Sequence, residues 1–291
     1  MRAVAHAKVN LTLRVERLRP DGFHDLASVF QSIGWSDRLE LSMVDPSAGE
    51  PGITSWDGGP VVDGEGNSAW RAVQAVRRHI GTEAGLALRL DKRIPVAAGL
   101  GGGSADAAAG LHLTSRLLAA PQGLAAELAP DLGSDVPFCV TGGTALVTGR
   151  GEVVTPIPAV LGYALAVVVP PVELSTPAVF RAWDDLGGDT GPTLPGSAVP
   201  PLLREHEPLR NDLYGAAVGL APEVDEWRVE LEARWARPVA LSGSGPALFA
   251  FFVDLDEAQG AVGGVPLGAR GAEAVEPLPV GWDPLADDPE R

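Results

Sequence analysis

The sequence predicts a chain of mixed strands and helices arranged in two units, and three observations carry that reading. The opening residues alternate apolar and polar positions as strands do. A glycine-rich loop at residues 99–103 runs directly into an alanine-rich helical stretch, and a fresh apolar strand, Ala164 to Val169, lies between Pro156 and Pro158 on one side and Pro170 and Pro171 on the other. At 291 residues the chain suffices for one large or two medium domains with real cores.

Apolar content of 45% and charged content of 21% are those of a soluble globular protein. The net charge of −16 argues against a nucleic-acid backbone or an anionic membrane surface as the main partner. An anionic small molecule stays open, because it needs only a local positive site. The one cysteine, Cys139, sits in the apolar run Val136 to Val140. No intrachain disulfide can form, a buried structural thiol is expected, and a reducing compartment fits. The start of the chain has no apolar signal stretch, and the longest apolar run, Leu161 to Pro171, is too short to span a bilayer. A soluble cytoplasmic protein is expected. Lysine occurs only at Lys8 and Lys92, every other basic side chain being arginine. That bias nominates both positions as places where a compact ammonium is required.

Ala3 to Val15 alternates, with Ala5, Ala7, Val9, Leu11 and Leu13 on one face and His6, Lys8, Asn10 and Thr12 on the other. The polar face either meets solvent or points Lys8 and Asn10 side by side into a site. Pro20-Asp21-Gly22 marks a turn. Ser28 to Ile33 and Arg38 to Met43 read as further strands, so the chain opens with a β-meander. Phe23 and His24 lie just past the turn. The histidine is either structural or, with its aromatic neighbour, able to stack on and hydrogen-bond a base.

Residues 45–66 read as loop. Asn67 or Ser68 caps a helix over Ala69 to Ile80, which Gly81 stops. A strand over Leu86 to Leu90 leads through Lys92 to the stretch Pro95 to Ala109. Gly99, Gly101, Gly102 and Gly103 let the backbone take positive φ and approach a ligand closely. Ser104 then opens a helix to about Ala119. Free N–H groups and the partial positive charge of a helix start make this a candidate phosphate cradle; the alternative is a plain strand-to-helix connection. It is not a Walker A loop, which needs a lysine after the glycines, nor a dinucleotide fingerprint, whose sixth position is here Ser104.

A shorter helix spans about Leu124 to Leu128. Asp135, before Val136-Pro137, is a turn or cap aspartate or a functional carboxylate. Thr144 to Thr148 and Val153 to Ile157 form a hairpin around Gly149-Arg150-Gly151. The second unit starts near residue 158 with the strand Ala164 to Val169. A helix capped by Ser175-Thr176-Pro177 runs through Trp183. No structure is assigned to 184–201. Helices follow Asn211-Asp212-Leu213 and span Glu223 to Trp235. Strands at Pro238 to Leu241 and Ala247 to Val253 flank a second Gly/Ser loop, Ser242 to Gly245, which is a tight hairpin or a ligand-facing loop. A last short helix covers Asp256 to Val262, and the acidic tail from about Gly281 is expected to fray.

Three stretches together resemble the GHMP small-molecule kinases: the strand Ala5 to Leu13, the loop Pro95 to Ala105 and the Gly/Ser loop Leu241 to Pro246. Within that family, four features, Ala7 to Leu13, Arg19 to His24, Gly133 to Phe138 and Arg210 to Leu213, are similar to the branch acting on a cytidylylated methylerythritol in the non-mevalonate isoprenoid pathway. Phe23 stands where that branch commonly has tyrosine, and Ala105 where a second serine is frequent.

The resemblance implies an α+β fold of two domains. The first, residues 1–157, would bind ATP and be like ribosomal protein S5 domain 2; the second, 158–291, would be ferredoxin-like, with the site in the cleft between. It implies Asp135 as catalytic base with Lys8 as partner, and Asn10 and Phe30 at the acceptor. Phe23 and His24 would hold cytosine, with Thr176 and Phe180. Asn67 and Lys92 would lie by adenine, while Pro95, Gly99, Leu100, Gly101, Gly102, Gly103 and Ser104 would carry the phosphates of ATP. Mg²⁺ would accompany ATP, with Ser104 as its one nominated ligand. The expected partners are ATP and the small-molecule acceptor, with neither nucleic acid nor membrane; the oligomeric state stays open between monomer and weak homodimer. Alternatives are a kinase of the same family for homoserine or mevalonate, neither of which has a base for Phe23 and His24 to hold, and a catalytically silent nucleotide sensor, for which Lys8 and Asp135 would be superfluous.

Overall fold

The computed structural model describes residues 1–45, 52–56, 66–188, 191–206 and 209–286. Two long strands, β1 (Arg2–Leu18) and β2 (His24–Met43), make an antiparallel hairpin across a turn in which Gly22 takes a φ of +83°. The expected three-strand meander is therefore a hairpin of two strands. Ser28–Ile33 and Arg38–Met43 are halves of β2, joined through a register shift instead of a turn. The shift falls between His6 and Ala7, whose partners jump from Ser36 to Ile33, and it divides the apolar face expected from Ala5 to Leu13. Ala3 and Ala5 belong to the core beneath the first helices; Ala7, Val9 and Leu11 belong to a core between two sheets, and Leu13 to a third. The polar residues of β1 are not solvated either, because Lys8, Asn10 and Thr12 are all buried.

The hairpin seeds the larger sheet. β3 (Gly52–Ser55) runs parallel to β4 (Leu86–Asp91), β4 pairs with the second half of β2, and β5 (Thr144–Gly149) pairs with the first half and with β6 (Val153–Pro156). One face is covered by α1 (Ser68–Ile80), α2 (Gly102–Leu117), α3 (Leu124–Leu132) and α4 (Val136–Thr141). In α1 the cap is Asn67, whose Oδ1 accepts from the N–H groups of Ala69 and Trp70 at 2.9 and 3.2 Å. The α2 alanines are fully buried because this helix crosses α1 almost backbone to backbone: a Cβ on Gly110 would lie 2.9 Å from the Ala69 carbonyl oxygen.

The smaller sheet is antiparallel, in the order β10 (Gly271–Val275), β7 (Ala164–Val169), β9 (Leu248–Phe252), β8 (Ala240–Leu241). Its strands are apolar on both faces because both are covered. Leu165, Val167, Phe249 and Phe251 meet Val9, Leu11 and Ile33 of the larger sheet. The other face packs on α5 (Thr176–Asp185), α6 (Tyr214–Leu220), α7 (Glu223–Trp235) and α8 (Leu255–Gly263). The fold is α+β in two domains. Within 184–201, left unassigned from sequence, a short 3₁₀ turn covers Gly196–Ala198.

The acidic tail is not frayed through its first residues. β11 (Trp282–Leu285) returns to the larger sheet and pairs with Arg2–Ala5. Acidic residues and Pro284 hide this strand in the sequence, and an edge position is where a strand tolerates proline. Residues 287–291 lie outside the described part. The return is fixed by His6, whose N–H donates to the Gly281 carbonyl at 3.0 Å and whose Nε2 lies 3.0 Å from Asp283 Oδ2. Trp282 stacks on His112 with ring centres 4.2 Å apart. Two glycines make the approach possible: at Gly142, with φ +71°, a Cβ would fall 1.7 Å from the Gly281 nitrogen. Gly142→Ala combines left-handed strain with a backbone clash and is expected to cost about 3 kcal/mol or more. Urea unfolding of the variant beside the wild type checks it.

Candidate active site

The site is assembled where β1, the glycine loop and the late Gly/Ser loop meet. Lys8 is 4% exposed, yet its charge is compensated on several sides. Nζ donates to Asn10 Oδ1 at 2.6 Å, lies 3.3 Å from Asp135 Oδ2 and stands 4.5 Å above the centre of the Phe30 ring. Asn10 is held in turn, its Nδ2 donating to Ser28 Oγ at 3.0 Å. The Lys8 stem presses on the glycine loop: a Cβ at Gly101, where φ is +68°, would sit 2.9 Å from Lys8 Cγ.

The glycine loop is clamped from the other side. The Lys8 N–H donates to the Leu100 carbonyl at 2.9 Å, the Ala247 N–H to that of Ala98 at 2.9 Å, and Ser242 Oγ to that of Gly99 at 3.2 Å. A Cβ on Gly99 would fall 2.5 Å from the Ser242 oxygen, so glycine is required. Asn211 Nδ2 secures the late loop by donating to the carbonyls of Leu241 and Gly243 at 2.9 and 2.7 Å. The starts of α1 and α2 converge beside the loop, where a Cβ on Gly103 would touch Ser68 Oγ at 3.4 Å. The first N–H groups of α2 have no side-chain cap, whereas those of α1 are taken by Asn67, so the positive end of α2 is the one open to the cleft.

A cleft of about 970 Å³ opens over this floor. The glycine loop, Pro95, Asn67, Lys92 and Ser104 line it with Lys8, Asp135 and Asn10. Phe23, His24, Phe30, Thr176 and Phe180 line it as well. All the residues nominated from the sequence thus border a single cavity. Some are otherwise engaged. Phe30 is 2% exposed and forms the floor beneath Lys8; the Asn67 side-chain oxygen is used by the helix cap. Thr176 Oγ1 lies 2.7 Å from Ser244 Oγ, tying α5 to the late loop. The His24 ring stacks against Phe180, centres 5.7 Å apart. Cys139 is buried, and burial pushes its thiol well above the usual range, as expected of a structural residue.

Sequence reasoning missed four charged residues on the walls: Asp106, Arg150, Arg181 and Asp184. Asp184 lies one residue beyond the predicted end of α5, and the helical spacing Thr176, Phe180, Asp184 was the signal for it. Arg150 sits in the β5–β6 turn with its guanidinium 5.2 Å from the centre of the Phe23 ring. Gly151 beside it leans on Ser134, which precedes Asp135.

The comparisons with known proteins decide the family. The description GHMP kinases N terminal domain matches residues 67–143. The 4-diphosphocytidyl-2-C-methyl-D-erythritol kinase of Cutibacterium acnes is 41% identical over 82% of this chain and 82% of its own length. The chain belongs to the 4-diphosphocytidyl-2-C-methyl-D-erythritol kinase family. The Moorella thermoacetica kinase of the same name is also 41% identical, over 88% of this chain and 91% of its own length. A crystal structure of 4-(cytidine 5'-diphospho)-2C-methyl-D-erythritol kinase superposes with a TM-score of 0.79 at 37% identity, covering 95% and 99% of the two chains. Homoserine kinase from Cytophaga hutchinsonii, at 19% identity and TM-score 0.68 over 97% and 96%, shares the fold. The protein is therefore an ATP-dependent kinase, and its glycine loop falls within the matched stretch.

Behind that loop lies a cluster that the kinase motifs alone do not disclose. Lys92 Nζ lies 2.5 Å from Asp37 Oδ2 and 2.8 Å from Asp106 Oδ2, while Asp37 Oδ1 accepts from the N–H groups of Arg93 and Ile94. One ammonium serves two buried carboxylates. Burial opposes the charge on Lys92, but Asp106 and Asp37 outweigh it and raise its pKa. Burial pushes the Asp106 carboxyl up to about 8, against the pull of Lys92. A carboxyl raised in the folded state binds a proton that the unfolded chain releases at lower pH, so its contribution to stability is lost as pH rises towards 8. Asp106→Asn keeps the shape without the charge. The variant is expected to lose less stability than the wild type between pH 6 and pH 8, as read from urea midpoints at both values.

Proposed function

We propose that this kinase transfers the γ-phosphoryl group of ATP to the 2-hydroxyl of 4-diphosphocytidyl-2-C-methyl-D-erythritol, serving the non-mevalonate route to isoprenoid precursors. The observation that carries the reading is the position of the Lys8–Asp135 pair, 3.3 Å apart, in one cleft with a phosphate loop and the aromatic pocket of Phe23, His24 and Phe180.

Phosphoryl transfer asks mainly for positioning and charge stabilisation. Asp135 accepts the proton of the attacking hydroxyl as the new P–O bond forms. The Lys8 ammonium, held in place by Asn10 and Phe30, stabilises charge on the moving phosphoryl group. Residues 99–104 hold the phosphates of ATP through backbone N–H groups, and Asn67 offers its remaining amide to adenine. Lys92 braces the loop through Asp37 and Asp106 instead of touching the base, since its ammonium is already committed. Phe23 and Phe180 stack on cytosine, and His24 hydrogen-bonds its edge. Arg150, between that pocket and Asp135, faces the diphosphate that links the two ends of the acceptor.

Among the described residues no group of three or more His, Cys, Asp and Glu gathers to hold a metal. Mg²⁺ binds through one or two carboxylates together with substrate phosphates. The Ser104 hydroxyl and Asp106 Oδ1, a buried oxygen without a hydrogen-bond partner, fit that smaller demand. Bound there with ATP, the ion would supply neutralisation of phosphate charge. The monomeric or weakly dimeric state, a cytoplasmic location and a domain boundary near residue 158 belong to the same proposal. Among the described residues no helix is long and apolar enough to cross a membrane.

The test is ADP release by the purified protein with Mg-ATP and four alcohols: the cytidylylated methylerythritol, the same alcohol without its cytidylyl group, homoserine and mevalonate. Turnover of the first alone is expected. Turnover of homoserine or mevalonate in its place would overturn the substrate assignment, and ATP binding without turnover of any would favour a sensor.

A further inference from the structure

Asn10 lies in a chain of hydrogen bonds whose two ends cannot reverse. The Lys8 ammonium at one end only donates, and the Thr12 carbonyl at the other only accepts. Lys8 Nζ donates to Asn10 Oδ1 at 2.6 Å, Asn10 Nδ2 donates to Ser28 Oγ at 3.0 Å, and Ser28 Oγ donates to the Thr12 carbonyl. The fixed ends set the sense of every link between them. With its proton committed to Thr12, the Ser28 oxygen can only accept from Asn10, and the amide must turn its own oxygen to Lys8. An amide has nearly the same shape either way round, so packing alone does not choose between the two. Turned over, it would set its N–H groups against the ammonium.

The backbone puts the serine in place. The β1–β2 register passes from Asn10 opposite Phe30 to Thr12 opposite Val29, which leaves Leu11 as an extra residue in β1, a bulge of the kind that re-aims side chains. Ser28 and Phe30, two apart on β2, share a face, so one supports Asn10 while the other lies under Lys8. Ser28 is fully buried and does not border the cleft. We infer that Ser28 is a positioning residue for phosphoryl transfer: it fixes the sense of the Asn10 amide and thereby the place of the Lys8 ammonium. The serine touches neither the glycine loop nor the acceptor pocket, so its loss acts on the transfer step and leaves substrate binding intact.

The inference rests on the reading of Lys8 as the cation of the transfer step, and Lys8→Met tests that reading separately. ADP release with Mg-ATP and the cytidylylated acceptor gives kcat and both KM values for the full chain, Ser28→Ala, Ser28→Thr, Asn10→Ala and the double variant Ser28→Ala/Asn10→Ala. Ser28→Ala is expected to lose about tenfold in kcat, the scale of one buried hydrogen bond next to a charge, with both KM values close to those of the wild type. Ser28→Thr, which keeps the hydroxyl, should keep most of the rate. The double variant should be no slower than Asn10→Ala alone, because without the amide the serine has nothing to orient. Ser28→Cys, with a weaker donor in the same place, takes over the comparison should the alanine variant not fold, and the same split is expected of it. A folded Ser28→Ala or Ser28→Cys with the kcat of the wild type overturns the inference. Losses that multiply in the double variant overturn it too, since they mark a role independent of Asn10. Both results leave the reading of Lys8 standing. Lys8→Met with a kcat near that of the wild type removes that reading, and the inference with it.

Discussion

The structure depends on one buried ammonium. Lys8 has little access to solvent, and a charge so placed is tolerated only where its surroundings replace water. Asn10, Asp135 and the Phe30 face do so, and each is supplied by a different piece of the fold: β1 itself, the residue before α4, and β2. Bringing them together requires glycine at 101, since the lysine stem lies where any other residue would put its Cβ. The same contact that seats the lysine therefore sets the path of the glycine loop.

The loop in turn ties the two domains together. It accepts hydrogen bonds from Ser242 and Ala247, in the loop between β8 and β9 of the smaller sheet, and from Lys8 of the larger one. Asn211, in a stretch that looked like a helix start from sequence, secures the late loop behind it. These contacts gather the open start of α2, an ammonium and the Arg150 guanidinium in one cleft of an acidic protein. The buried carboxylates nearby are partly neutralised by Lys92, which keeps their field from the cradle.

Much of this was legible in the sequence because it depends on residue types with few substitutes. The four loop glycines, the pair of lysines and Asp135 before Val136-Pro137 stand out for that reason, and all border the cleft. The alternation of β1 was equally plain, but not that both of its faces are buried, since burial of the polar one is set by partners far along the chain. The single long β2 was read as two strands because a register shift leaves no turn signature. β11 went unseen because its pairing partner lies at the other end of the chain, and its proline and acidic residues resemble a loose tail. Asp106 and Asp184 are ordinary helical residues in sequence; only packing sets one beside Lys92 and the other beside His24.

The claim at the centre of this account is that the Lys8–Asp135 pair performs the chemistry and does not merely hold the cleft in shape. The direct measurement is single-turnover phosphoryl transfer by Asp135→Asn with saturating Mg-ATP and the cytidylylated acceptor, alongside the affinity of each substrate. A fall in rate of about a hundredfold or more, as loss of a general base produces, with both affinities close to those of the wild type, is the predicted result. A rate near that of the wild type would contradict it and assign proton transfer elsewhere.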